Sequence, residues 1–293
     1  MNKLFTLAFI FVVMMTSCAQ NESVVTIKTT YGDMVAILYD ETPLHKENFI
    51  KLAEAHYFDS LLFHRVIQNF MIQTGDSASR HAPPGVPLGV GGKKYTVPAE
   101  FNPKFFHEKG ALSAARQGDQ VNPKKASSGS QFYIVQGAIL TPTDIQNMTY
   151  DMNKIMTGLR KMFEQLEYKP LLDSLNKLYY AGDMDAYQKK LIELAPRIET
   201  ATGNKVTSAG LSEEQKKLYT TVGGAPHLDG EYTVFGRVIK GLDVIDKIAA
   251  VPRDSLDRPT EDVRMISVTI KKMPRKKVTK EFGYIYPAEP KKK

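Results

Sequence analysis

The hydrophobic pattern changes period twice along this chain of 293 residues, and that switch constrains the fold more than any other feature. Before Gly137 and again after Gly223, apolar residues come in short runs with polar, Gly- or Pro-containing links. Val24–Thr30 and Met34–Tyr39 flank Tyr31-Gly32-Asp33 and predict a hairpin. Leu61–Val66 and Phe70–Gln73, joined through Gln68-Asn69, predict adjacent antiparallel strands. Tyr95–Glu100, Ala111–Ala115, Gln131–Val135, Thr233–Val238 and Arg264–Lys271 read as further strands, and Gly85 to Gly92 as a loop. Thr42-Pro43 reads as N-cap and first residue of a helix running to about Ala55, with Leu44, Phe49, Ile50, Leu52 and Ala53 inward. Many short strands with few helices predict a closed barrel or a sandwich.

Between Gly137 and Gly223 the period becomes helical. Apolar residues recur in steps of three and four at Ile145, Met148, Met152, Ile155, Leu159, Met162 and Leu166, behind a capping box at Thr143-x-x-Gln146. A second helix follows Pro170 and stops at Gly182, a third starts near Asp183, and Ser212-x-x-Gln215 opens a short fourth. Such stripes are stable only packed on each other or on the strands. Their methionines read as core filler, with an adaptable binding face as the alternative.

The N-terminus has a different character. Lys3 precedes an apolar run from Leu4 to Met15, then small residues and Cys18, the layout of a secretory signal. The run is too short to span a bilayer, which takes about 20 residues. Cys18 is the single cysteine, so no internal disulfide forms. Its position resembles a bacterial lipoprotein cleavage site, which implies a signal peptide over 1–17, a lipidated tether over 18–23 and a membrane-anchored protein of the cell envelope facing the periplasm. The net charge of +7 then reads as a solvated surface concentrated near the C-terminus, with no nucleic-acid partner. No His among His45, His56, His64, His81, His107 and His227 has paired spacing with Cys or acids, which argues against a metal site. No nucleophile motif points to a hydrolase. The stretch 273–293, rich in Lys, Arg and Pro, reads as a solvated tail, with Phe282, Tyr284 and Tyr286 as candidates for docking.

The stretch Phe63–Asp76, FHRVIQNFMIQTGD, places a cation (Arg65), an apolar pair (Phe70, Met71) and an amide (Gln73) close together. On one face they make an apolar pocket with a guanidinium and an amide at its rim, suited to a neutral, apolar ligand with a polar backbone, such as a proline-containing peptide. The plain alternative is a barrel strand with one buried Arg. This stretch resembles the signature of the cyclophilins, the peptidyl-prolyl isomerases. The resemblance continues in KGALSAAR (Lys109–Arg116), SSGSQFYIV (Ser127–Val135) and HLDGEYTVFGRV (His227–Val238), in family order.

The resemblance implies a mainly β fold, an eight-stranded antiparallel barrel (24–137 and 223–272) capped by two helices, the second over Leu242–Ala249, and interrupted by an inserted helical subdomain (138–222). It implies a monomeric isomerase without cofactors that acts on proline-containing unfolded or exported polypeptides. Arg65 is then the catalytic donor, Gln73 orients it, and Tyr232 donates to the substrate carbonyl. Phe70, Met71, Tyr133 and Leu228 form the proline pocket, Gln131 lies on its floor, and Ala115 and Arg116 line the groove, with the backbone of Arg116 pairing with the peptide. His227 stands where animal members carry Trp, which implies weak cyclosporin binding. Because a guanidinium keeps its charge, activity should vary little with pH. Two other readings compete: a tethered holdase that grips proline-containing chains with little turnover, and a scaffold whose work lies in the helical segment.

Overall fold

A computed structural model of the chain describes residues 21–208 and 210–286, so the signal segment and Cys18 lie outside the described residues. The strands are β1 (Asn21–Thr29), β2 (Gly32–Leu38), β3 (Leu61–Leu62), β4 (Arg65–Ile67), β5 (Met71–Thr74), β6 (Thr96–Val97), β7 (Ala111–Ala114), β8 (Ser127–Ser128), β9 (Phe132–Val135), β10 (Val234–Lys240) and β11 (Arg264–Pro274). Helix α1 (Pro43–Glu54) follows β2. Helices α2 (Pro142–Asn147), α3 (Met152–Met162), α4 (Lys169–Tyr180), α5 (Met184–Thr202) and α6 (Glu213–Thr221) lie between β9 and β10. Helices α7 (Leu242–Ala249) and α8 (Arg275–Phe282) flank β11.

Nine strands form one antiparallel sheet in the order β3-β11-β1-β2-β10-β7-β9-β5-β4, and β6 pairs with β8 separately. The run expected as one strand over Leu61–Val66 breaks at His64, because Leu61–Leu62 pairs with β11 and Arg65–Ile67 pairs with β5. The two outer strands are thus joined by Phe63 and His64 alone. At about 3.5 Å per residue, the sheet has to curl until its edges approach. The expected eight-stranded closed barrel is therefore corrected to a curled nine-stranded half-barrel. Helical residues outnumber strand residues in the described chain, so the class is mixed α/β and not mainly β.

Alternate strand residues fill the inside of the curl, among them Ile27, Met34, Leu38, Val66, Ile72, Leu112, Ala114, Phe132, Ile134 and Phe235. Helix α1 closes one side with Phe49, which lies 4.9, 5.2 and 5.6 Å from the rings of Phe58, Phe132 and Phe235. Helix α7 closes another with Val244, Ile245 and Ile248. Leu44, expected inside, is exposed, while its neighbours His45 and Lys46 are buried. The reason is a distant cap. Thr42 makes no side-chain cap bond, and the Glu100 carboxylate instead accepts the N–H groups of Leu44 and His45, both at 3.0 Å. It also meets His45 Nδ1 at 2.6 Å.

In the helical segment α3, α4 and α5 enclose their own core of Ile155, Leu159, Met162, Leu175, Leu191, Leu194 and Ile198. The capping box falls on Thr141 and Asp144, not on Thr143 and Gln146. The expected single stripe splits because Asp151 caps a new helix, and Leu166 is left exposed. Both ends of the β unit also run further than expected. Asn21–Ser23, assigned to a tether, pair with Pro274, Met273 and Lys272. Beyond them α8 buries Val278 against Val24, Val35, Ile37 and Met273, with Phe282, Tyr284 and Tyr286 packed around. Residues 273–286 are thus a docked element and not a solvated tail, because the outer face of β1 and β2 is apolar and needs cover. No helix among the described residues is long and apolar enough to cross a membrane.

Candidate active site

A strand shows its side chains to alternate faces, and here the outward set carries the chemistry. The register places Arg65 opposite Gln73, Gln73 opposite Tyr133, and Tyr133 opposite Ser113. These four residues form one row across β4, β5, β9 and β7, all on the face away from the core. Two residues along, Met71 lies opposite Val135. Met71, Tyr133, Val135, Ala111, Ala225, Leu228 and Val234 make a buried apolar patch, with Phe70, Ala115 and Tyr232 packed at its margin. His227 lies over Phe70 with ring centroids 5.3 Å apart.

Arg65 sits on the edge strand with its side chain 41% exposed, and its Nε is 3.6 Å from Asp257 Oδ2. Asp257 also pairs with Arg253 at 3.2 Å. Gln73, the expected orienting partner, lies directly across the strand pair from Arg65, and the charged neighbour of Arg65 is Asp257. The Gln73 amide turns the other way and donates to Gln131 Oε1 at 3.0 Å. Gln131 in turn donates from Nε2 to the carbonyls of Gly89 and Gly91, at 2.9 and 2.7 Å. Asp76 accepts the N–H groups of the same two glycines, so the loop is held at both its donors and its acceptors. A side chain on Gly91 would put Cβ 2.1 Å from Asp76 Oδ1, which makes glycine necessary there. Cavities of about 570 and 300 Å³ flank this ridge, both bordered by Gln73, Gly89 and Val90.

Arg116 is held, not free. Its guanidinium bonds the Glu231 carbonyl at 2.8 Å and the Asp119 carboxylate at 2.5 Å, and lies 4.5 Å from the centroid of the Tyr232 ring. Its main-chain N–H and C=O make no hydrogen bond among the described residues, as an incoming extended peptide requires. Ala115 uses its own N–H and C=O on Gln131 and Ser128.

Several residues at the site were not singled out in the sequence. His64, wedged between β3 and β4, is buried. Burial, helped by the positive charges of Arg65 and Arg258, pushes its pKa down to about 4 against the pull of Asp76 and a weak hydrogen bond with the Leu62 backbone. His107, fully buried, bonds Asp229 Oδ1 through Nδ1 at 3.0 Å and the Tyr133 hydroxyl through Nε2 at 3.1 Å. Asp229 lies inside the HLDGEY block, so its neighbours marked it; Asp257 and His107 are linked to the site only through residues distant in the chain. No cluster of metal-ligating side chains occurs among the described residues.

The face so described combines an apolar patch, a backbone N–H and C=O at Arg116 without partners among the described residues, and a guanidinium at the edge strand. That combination defines a peptide-binding protein built to act on a neutral bond. The family described as "Cyclophilin type peptidyl-prolyl cis-trans isomerase/CLD" matches residues 24–158 and 207–270, and the chain belongs to this family of enzymes. The break in the match, 159–206, holds the end of α3 and all of α4 and α5. A "Putative bifunctional phosphatase/peptidyl-prolyl cis-trans isomerase" of Streptococcus pyogenes is 30% identical over 84% of this chain, which spans only 38% of that protein. A "Putative peptidyl-prolyl cis-trans isomerase" of Staphylococcus saprophyticus is 29% identical over 85% of this chain and 92% of its own length. A crystal structure of a cyclophilin type peptidyl-prolyl cis-trans isomerase of Cryptosporidium parvum covers 86% of this chain with a TM-score of 0.49 and 19% identity.

Proposed function

We propose that this chain catalyses cis–trans rotation of X-Pro bonds in exported polypeptides, held at a membrane by a lipid on Cys18. The observation that carries the chemistry is the row Arg65–Gln73–Tyr133 standing beside the patch of Phe70, Met71 and Leu228. Rotation breaks amide conjugation against a barrier of about 18–20 kcal/mol, and no covalent bond is cleaved. A useful site therefore favours the twisted amide, whose nitrogen has regained its lone pair. In this reading the patch holds the proline ring, and the unpaired N–H and C=O of Arg116 hold the peptide backbone. The Arg65 guanidinium, fixed by Asp257, donates to the proline nitrogen only when the amide is twisted. Tyr232, stacked on Arg116, is within the same groove and supplies a hydroxyl donor.

The envelope location rests on the sequence of residues 1–18 alone. The test is prolyl isomerisation of short peptides, by a protease-coupled or exchange-NMR assay, on a soluble form beginning at Ala19. Binding of a proline-containing peptide without acceleration of its isomerisation would replace this reading with that of a holdase.

A further inference from the structure

The Tyr133 hydroxyl begins a chain of hydrogen bonds that leaves the pocket and ends on α6. His107 Nδ1 faces the Asp229 carboxylate at 3.0 Å, so the proton sits on Nδ1 and Nε2 accepts from Tyr133, 3.1 Å away. The same carboxylate oxygen accepts the His107 main-chain N–H at 2.9 Å. Its other oxygen accepts from the Tyr219 hydroxyl at 2.7 Å and from Gln215 Nε2 at 2.8 Å. Burial pushes the Asp229 carboxyl up, but the donors His107, Tyr219 and Gln215 outweigh it and hold the group below its ordinary value. Asp229 is thus an anion with four donors, two of them from one helix.

Tyr219 is the largest fully buried side chain of the described residues, and Gln215 also closes the capping box that starts α6. The packing at this junction leaves no slack. A Cβ on Gly224, where the chain re-enters the sheet, would lie 2.3 Å from the His107 carbonyl and 2.5 Å from the Tyr219 ring. Asp229 follows directly on His227 and Leu228, which border the apolar patch. The helix therefore grips the pocket from two sides, through the floor residue Tyr133 and through the segment that carries Leu228.

We propose that Tyr219 and Gln215 of α6 are positioning residues for isomerisation, acting through Asp229 and His107 on the orientation of Tyr133. This rests on the isomerase reading above. A phenol in place of a phenyl ring at position 133 is what lets α6 reach the pocket. The ring can be fixed at the angle that suits the twisted proline, where a ring held by apolar contacts alone has more freedom. Loss of one donor to a buried carboxylate is expected to cost about tenfold in rate if the ring loosens.

The experiment is a double-mutant cycle on kcat/KM for a short X-Pro peptide, using Tyr219→Phe and Tyr133→Phe, which are linked through Asp229 and His107. Tyr219→Phe keeps the buried ring and removes the hydroxyl alone. Expected is a fall of about tenfold in the wild-type background and little further fall once Tyr133 is Phe. In parallel, the His107 Nδ1–H resonance is expected to exchange faster with water in Tyr219→Phe, a readout that does not depend on turnover. Equal falls in both backgrounds, or an unchanged rate with an unchanged His107 resonance, would overturn the proposal. An inactive wild type whose His107 resonance still responds would sink the isomerase reading and leave the hydrogen-bond chain standing.

Discussion

His64 gives the most quantitative prediction. The ring is buried beside Arg65, Asp76 and Arg258, with the Leu62 backbone as its one hydrogen-bonding contact among the described residues. Its protonation is therefore resisted in the folded chain and free in the unfolded one. The pKa falls from 6.5 to about 4, and at about 1.4 kcal/mol per unit this corresponds to roughly 3 kcal/mol. The sign follows from the depressed folded value. The unfolded chain takes up the proton first on acidification, so the contribution is complete above pH 6.5 and is lost as pH falls toward 4. His64→Gln removes the titration and keeps a neutral polar group. Urea unfolding at a series of pH values between 7.5 and 4 should show wild-type stability declining faster than that of His64→Gln, with the gap closing by about 3 kcal/mol across the window. His45 also has a depressed pKa, through burial, but it is present in both proteins and cancels in the difference. Parallel stability profiles would refute the reasoning, since they would mean that the ring is solvated or partnered in solution.

Arg65→Ala should lower kcat/KM for an X-Pro peptide by about a hundredfold or more, the scale for removing a fixed transition-state donor, and Arg65→Lys should not restore it; wild-type activity in either variant would refute the mechanism. Replacing residues 142–207 by a short Gly/Ser linker removes α2 to α5 with their separate core and retains α6. Short-peptide turnover should stay within about tenfold while turnover on an unfolded protein falls much more, and equal losses would show that these helices support the sheet. Cys18→Ser should move the protein from the membrane fraction to the soluble one, because stable anchoring needs the lipid chains; membrane partitioning that persists would rule out this tether.

Several features were legible from local sequence because they depend only on the spacing of residues along one element. Alternation marked β2, β9 and β10 to within a residue or two, whereas the place of α7 at Leu242–Ala249 came from the family resemblance. Alternation also explains why Arg65, Gln73 and Tyr133 share one face, since a sheet that buries Val66, Ile72 and Phe132 has to turn their neighbours outward. The tertiary structure decided what touches these residues. Glu100 caps α1 across the fold, and Asp257 pairs with Arg65. Asp229 joins His107 to Tyr219, and the apolar outer face of β1 and β2 recruits α8. Hydrophobic period reports which side of an element is buried, but it carries no information about which distant segment will cover that side. That choice is made when β3 and β4, two residues apart in the chain, take opposite edges of one sheet and force it to curl.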